Sequence, residues 1–311
     1  MTIILEVKNS GLSLTANLKK KQKEEFIQNM SKKINFSLVI LTLVLSLALI
    51  GSGCGKKGGE GPSPGGETSA LSGDLKLSGS TTVQPLAQDL ADKFMEKNPE
   101  VRIAVTGGGS GVGVKDAADG KVNIGMASRE LKDTDPAGLV ATTIAKDGVV
   151  IVVHPENPIS ELTKEKVIDI FMGKITNWKA LGGKDAPIIV HSRVAPSGTL
   201  DFFIESFLGK DKNVVATAKT HASNGLLRQS VSANANTIGF LSMGYVDESV
   251  KAPKIDGVEP TMENAKSGTY PYVRPLNLVT KGEPADLAKS FIDFALSPEG
   301  QEIAGKDYLP L

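Results

Sequence analysis

From Leu75 onward the chain alternates short apolar strands with amphipathic helices, and this alternation confines the folded part to an open α/β sheet. Residues 75–77 read as a strand. Residues 83–98 read as a helix with Leu86, Leu90 and Phe94 on one face, ended by Asn98-Pro99. A strand at 101–105, a helix at 111–119 and a strand at 122–126 follow, a pattern that predicts a parallel sheet covered on both faces. Continuous apolar strands at 148–153 and 276–280 read as two chain crossings between lobes. The stretch between them supplies a second α/β lobe: a helix at 164–171, a strand at 187–191, helices at 199–208 and 225–232, and a strand at 237–242. A last amphipathic helix, 285–296, is expected to pack back on the first lobe. The predicted division is residues 74–150 plus 272–311 for lobe 1 and 151–271 for lobe 2.

The segment before the folded part reads as an address. LVILTLVLSLALI, beginning at Leu38, is too short to span a bilayer comfortably and follows Lys32 and Lys33, as in a signal-peptide core. It ends in Gly51-Ser52-Gly53-Cys54, which resembles a bacterial lipoprotein processing site with Gly51 in place of the usual leucine. Cys54, the only cysteine, is the expected lipidation point, which leaves no internal disulfide and no cysteine metal site. Residues 1–53 are thus an N-terminal extension and signal peptide, with Met30 opening a signal of ordinary length. Residues 54–73 are rich in Gly, Pro and Ser and are expected to form a flexible tether spanning on the order of 25 Å.

Charge excludes one function class. Lys plus Arg is 35 and Asp plus Glu is 35, and aromatics make up 5% of the 311 residues, so there is no basic field or stacking surface for nucleic acid. The three histidines lack metal-ligand spacing, so neither a metal nor a cofactor is predicted. The glycine-rich run at 107–113 does not fit G-x-x-x-x-G-K-[ST]. Neither Ser110 nor Ser197 lies in G-x-S-x-G, so the chain does not read as an enzyme.

Three small-residue loops each lie between a strand and a helix, where free backbone N–H groups and the positive end of the helix dipole favour an anion. They are Ser78-Gly79-Ser80-Thr81-Thr82, Thr106-Gly107-Gly108-Gly109-Ser110-Gly111 and Pro196-Ser197-Gly198-Thr199. Ligands of open α/β sheets gather at the carboxyl ends of strands, so these loops and Ala127-Ser128-Arg129 are expected to face one cleft. Arg193, four residues before Ser197, supplies a guanidinium fork matched to two oxygens of a tetrahedral oxyanion. Taken singly, each loop is more often an N-cap or a turn than an anion site. Their convergence is the prediction.

The chain resembles the phosphate-binding proteins of bacterial phosphate ABC importers over nearly all of residues 75–311. The matching segments are SGSTTVQPLAQDLADKF, GGGSGVGVKDAADGKVNIGMASREL, FMGKITNWKALGG, SRVAPSGTLDFF, NTIGFLSMGYV, YPYVRPLNLVTKGEP and FIDFALSPEGQEIA. The resemblance implies a two-lobed type II periplasmic binding protein fold, with two Rossmann-like lobes joined by two hinge crossings that close on the ligand. It implies phosphate binding by Ser80, Thr81, Ser110, Ser128, Arg193, Ser197, Gly198 and Thr199, with Gly111 and Arg129 in a supporting tier. The implied partners are inorganic phosphate, permease subunits whose cytoplasmic ATPase acts indirectly, and the outer face of a membrane reached through Cys54. A monomer is expected. Ser128 stands where some members carry an aspartate, Val194-Ala195-Pro196 replaces commoner acidic and glycine residues, and Leu200 replaces arginine. Sulfate, molybdate or tungstate therefore stay open as ligands, as does a surface adhesion role.

Overall fold

The computed structural model describes residues 71–311. The signal segment, Cys54 and all but the last three residues of the tether lie outside the described residues.

Strand β1 (Gly73–Gly79), helix α1 (Val83–Lys97), β2 (Val101–Gly107), α2 (Ser110–Ala118) and β3 (Ile124–Ala127) open the chain. Next come β4 (Leu139–Val153), β5 (Glu161–Leu162), α3 (Lys164–Phe171), β6 (Ile189–Arg193), α4 (Gly198–Phe203), β7 (Lys219–His221), α5 (Asn224–Ser232) and β8 (Thr237–Ser242). The short β9 (Lys254–Ile255) and α6 (Met262–Lys266), then β10 (Val273–Lys281), α7 (Asp286–Leu296) and α8 (Pro298–Ala304) complete it. Eight strands form one sheet in the order β2-β1-β3-β10-β4-β8-β6-β7, and β5 pairs with β9 beside it.

The sheet is mixed, which corrects the expectation of a wholly parallel one. β1 runs parallel to β2 and β3, and β6 parallel to β7 and β8, as the strand and helix alternation predicts. The two crossing strands break that order, since β10 is antiparallel to β3 and β4, and β4 is antiparallel to β8. β4 is also far longer than predicted, at 15 residues. Its first two-thirds, to Gly148, pairs with β10 and its last third, from Val149, with β8. Two smaller corrections have local causes. The amides of Lys121 and Val122 turn back to Asp116 O and close the end of α2, so β3 starts only at Ile124. The helix predicted at 199–208 is α-helical to Phe203 and then widens, with Gly209 N bonding to Ile204 O at 2.8 Å in an i to i−5 step.

Two apolar cores flank the change of partner in β4. One gathers β1, α1, β3, Ile144, β10 and α7, with the Phe94 and Phe291 rings edge to face at 5.5 Å. The other runs along β4 from Val149 to Val153 and takes in Phe171, Phe203 and Phe240, the last two stacked at 4.1 Å. Trp178 is buried there, its indole N–H donating to Asn236 O. Helix α7 does pack on the first core, and α8, which periodicity alone did not reveal, adds Ala304 to it. No helix among the described residues is long and apolar enough to cross a membrane.

Between the two cores lies a fully buried ion pair. Arg274 on β10 and Asp147 on β4 are register partners, bonded through Nε at 3.1 Å and Nη2 at 2.8 Å, and Ser242 Oγ donates to the other carboxylate oxygen at 2.8 Å. Burial pushes the Asp147 carboxyl up and the Arg274 guanidinium down, and their mutual attraction opposes both shifts. Removing one partner leaves the other charge unmatched in a dry site. Asp147→Ala is therefore expected to lower folding stability by about 3–5 kcal/mol, read as an earlier urea midpoint. A loss within measurement error would remove the pair as a determinant of the fold.

Candidate functional site

The carboxyl ends of β1, β3 and β6 and the N-termini of α1, α2 and α4 come together between the two cores, so the predicted loops do meet. Arg193 Nη2 donates to Thr81 Oγ1 at 3.0 Å, joining two loops 112 positions apart. Thr82 Oγ1 lies 3.2 Å from Thr199 Oγ1, and the amide of Gly111 donates to Pro196 O at 3.1 Å. Ser110 Oγ accepts from the amide of Ser128 at 3.0 Å and lies 3.3 Å from its hydroxyl. Glycine is needed where these loops touch. A Cβ on Gly198 would collide with the Ser110 hydroxyl and come within 2.9 Å of Ser128 Oγ, and one on Gly111 would meet Pro196 Cβ at 2.6 Å. Ser80, Thr81, Ser110, Ser128, Arg193, Ser197 and Thr199 are all buried.

The hydroxyls are oriented by what they already accept. Ser80 Oγ takes the amides of Thr82 and Val83 at the start of α1, and Ser197 Oγ takes the amide of Leu200 at the start of α4. These are the capping roles that the loops suggest singly. A hydroxyl has one proton and two lone pairs, so each such oxygen turns its proton elsewhere. Thr82 makes the case most clearly. Its oxygen accepts from Asn224 Nδ2 at 2.8 Å and Arg274 Nη2 at 3.1 Å, so its proton goes to Thr199, whose own proton is then free to donate. The cluster is built of donors.

Its charge is unbalanced in the same sense. Arg193 is 2% exposed and donates only to neutral acceptors: His221 O, Asn224 Oδ1, Thr81 Oγ1 and Ala222 O. No carboxylate pairs with it among the described residues. Burial, with the Arg274 charge nearby, lowers its pKa to about 10, which leaves it cationic at neutral pH. A buried cation without a counter-ion is costly in a folded chain and marks a place prepared for an anion. The second predicted arginine, Arg129, is otherwise engaged. It holds Asp135 through Nη1 at 2.7 Å and Nη2 at 3.0 Å.

Three residues that sequence reasoning did not single out complete the constellation: Thr82, Asn224 and Arg274. Asn224 opens α5 and ties Arg193 to Thr82. Thr82 lay in a quoted loop but was not distinguished from its neighbours. Arg274 sits inside a strand, where nothing local signals that a cation reaches the amino end of α1 and the loop after β3. Behind Arg193, His191 and His221 stack at 5.0 Å and share one hydrogen bond of 2.8 Å, and His191 Nε2 is buried with no partner among the described residues.

Residues 64–299 match the family model described as a PBP superfamily domain. The Bacillus subtilis phosphate-binding protein PstS is 35% identical over 284 residues, covering 88% of this chain and 94% of that protein. PstS of Pseudomonas aeruginosa is 30% identical over 276 residues, covering 79% and 85%. Among solved structures, a Clostridium perfringens protein assigned as a phosphate ABC transporter substrate-binding protein, with bound phosphate, superposes with a TM-score of 0.74 at 44% identity, covering 76% of this chain and 99% of that one. An ABC-type phosphate transport receptor from Vibrio cholerae gives a TM-score of 0.65 at 35% identity, with the same 76% and 99% coverage.

The histidine pair sets a pH dependence. Burial, then the neighbouring His221 and Lys219, lower His191 from an ordinary 6.5 to about 4. A group whose pKa falls on folding contributes stability that is complete above its unfolded value and is lost as pH drops. Stability is therefore expected to decline from pH 6.5 toward 4, and His191→Gln to flatten that slope in thermal unfolding at stepped pH. An unchanged slope would show that the pair does not titrate with folding. Gly198→Ala, which holds the Ser110 and Gly198 loops apart, is expected to weaken ligand capture at least about tenfold with little change in unfolding temperature, measured by titration calorimetry.

Proposed function

The chain belongs to the PBP superfamily, in the family of phosphate-binding proteins PstS, and from that premise we propose that it captures inorganic phosphate and hands it to an ABC importer. The observation that carries the reading is Arg193, a buried cation whose protein partners are all neutral, set among hydroxyls that are left with protons to give. A phosphate dianion supplies the missing negative charge and the missing acceptors together. Ser80, Thr81, Ser110, Ser128, Ser197, Gly198 and Thr199 are its proposed binding residues along with Arg193, and Gly111 supports them through its bond to Pro196.

Residues 74–150 with 272–311, and 151–271, are the proposed lobes, hinging on β4 and β10. Phosphate stabilises the closed form because it contacts both lobes at once. Its role is capture and delivery, with no bond made or broken. The importer's permease subunits receive the closed receptor, and the ATPase acts on it only through them. We place the protein outside the cytoplasm as a monomer, held at the membrane by a lipid on Cys54.

Selectivity follows from the chemistry of the cluster. None of the hydroxyls of Thr81, Thr82, Ser110, Ser128 and Thr199 donates to a carboxylate among the described residues. With Ser128 in place of a carboxylate to read a ligand proton, the penalty against sulfate rests on the hydroxyls. Calorimetry with phosphate, sulfate and molybdate tests both points. Phosphate is expected to bind most tightly, and Arg193→Ala to weaken it at least about 100-fold, since removing one partner of a buried charge pair costs about 3–5 kcal/mol. Parent-like affinity in Arg193→Ala would overturn the site, and preference for molybdate or sulfate would overturn the ligand.

A further inference from the structure

The loop after Ser128 and the first turn of α4 meet in a second cluster, separate from the donors around Arg193. Arg129, Lys132 and Asp135 come from the segment between β3 and β4, on the side of the first core. Asp201 comes from α4, whose Phe203 belongs to the other core. Arg129 Nε lies 3.0 Å from Asp201 Oδ2, off the line of its N–H, so the contact is an ion pair without a hydrogen bond. Lys132 Nζ lies 3.0 Å from Asp201 Oδ1. Both cations of Asp201 thus come from across the cleft, and none comes from its own side among the described residues.

Asp135 turns this meeting into a directed one. It receives both terminal nitrogens of Arg129 and the amide of Lys132 at 2.8 Å, which fixes the guanidinium with its remaining edge toward Asp201. Arg129 and Asp135 side chains are 6% and 13% exposed, so that pair is weakly screened, whereas Asp201 and Lys132, at 26% and 34%, lie within reach of salt. Asp201 lies one turn after Gly198 on the same short helix, and Arg129 directly follows Ser128. The ion pairs therefore brace the two backbones that bring Gly198 against Ser110 and Ser128.

We propose that Asp201, with Arg129 and Lys132, is an electrostatic latch that holds the lobes closed over the bound anion. The inference rests on the phosphate-capture reading. Asp201 is a positioning residue in it and touches no ligand. On opening, Asp201 loses both cations, whereas Arg129 keeps Asp135, so the attraction counts toward the closed form alone. Such a latch slows release more than it speeds capture. It also explains why Arg129 follows the binding serine without donating to the cluster around Arg193.

Stopped-flow measurement of phosphate release from the full-length protein tests this. Asp201→Asn is expected to release phosphate about tenfold faster with little change in association rate, and Lys132→Gln about threefold faster. Raising salt from about 0.05 to 0.5 M is expected to speed release in the parent and to do so much less in Asp201→Asn. Ligand-free thermal unfolding of each variant is expected to match the parent within a few degrees. If the parent captures phosphate and Asp201→Asn keeps both its release rate and its salt dependence, the latch falls and the phosphate reading stands. If Asp201→Asn releases faster but keeps the parent's salt dependence, Asp201 acts by packing and the latch falls. A parent that captures no phosphate removes both readings.

Discussion

The change of partner two-thirds of the way along β4 is held by one buried ion pair, and the site depends on it. Asp147 and Arg274 neutralise each other at the point where β4 leaves β10 for β8. Arg274 still has donors to spare, and it uses them on Thr82 Oγ1 and Ser128 O. The residue that lets two crossing strands pass through a dry interior therefore also sets the polarity of the hydroxyls above it. Tyr308 and Tyr245 add to the same frame by donating to the carbonyls of Thr82 and Thr81.

Three buried arginines in this region show how context decides what a guanidinium does. Arg274 has a carboxylate of its own and acts as a structural donor. Arg129 has two and joins loop to helix. Arg193 has none. The same side chain is a strut, a brace or, as proposed for Arg193, an anion receptor according to the counter-ions within reach, which residue type alone does not reveal.

The strand and helix alternation made most of the architecture readable, because apolar periodicity reports which face of each element is buried. α3 and β8 begin and end where periodicity puts them. The first part of β4 was invisible because Leu139–Asp147 carries two half-buried threonines, an exposed lysine and an aspartate buried only through its pairing with Arg274, so no continuous apolar run announces it. In the site, Ser80, Ser110, Arg193 and Ser197 were legible because small residues between a strand and a helix have few other uses when several recur. Asn224 and Arg274 were not, since their roles arise from pairing across 142 and 192 positions with Thr82, and no local pattern encodes such distances. Arg129 was legible as a residue of the cleft, but its carboxylate partners, Asp135 and Asp201, were not.

The double membership of β4 also bears on how the chain comes apart. A strand whose two halves belong to different cores cannot leave one without fraying the other, and the C-terminus adds a second tie, with Tyr308 in one core and Leu309 in the other. Lys146 and Leu309 exchange backbone hydrogen bonds at the same level. Neither half is therefore expected to survive excision as an autonomous folding unit, and the described residues are expected to melt as one cooperative block.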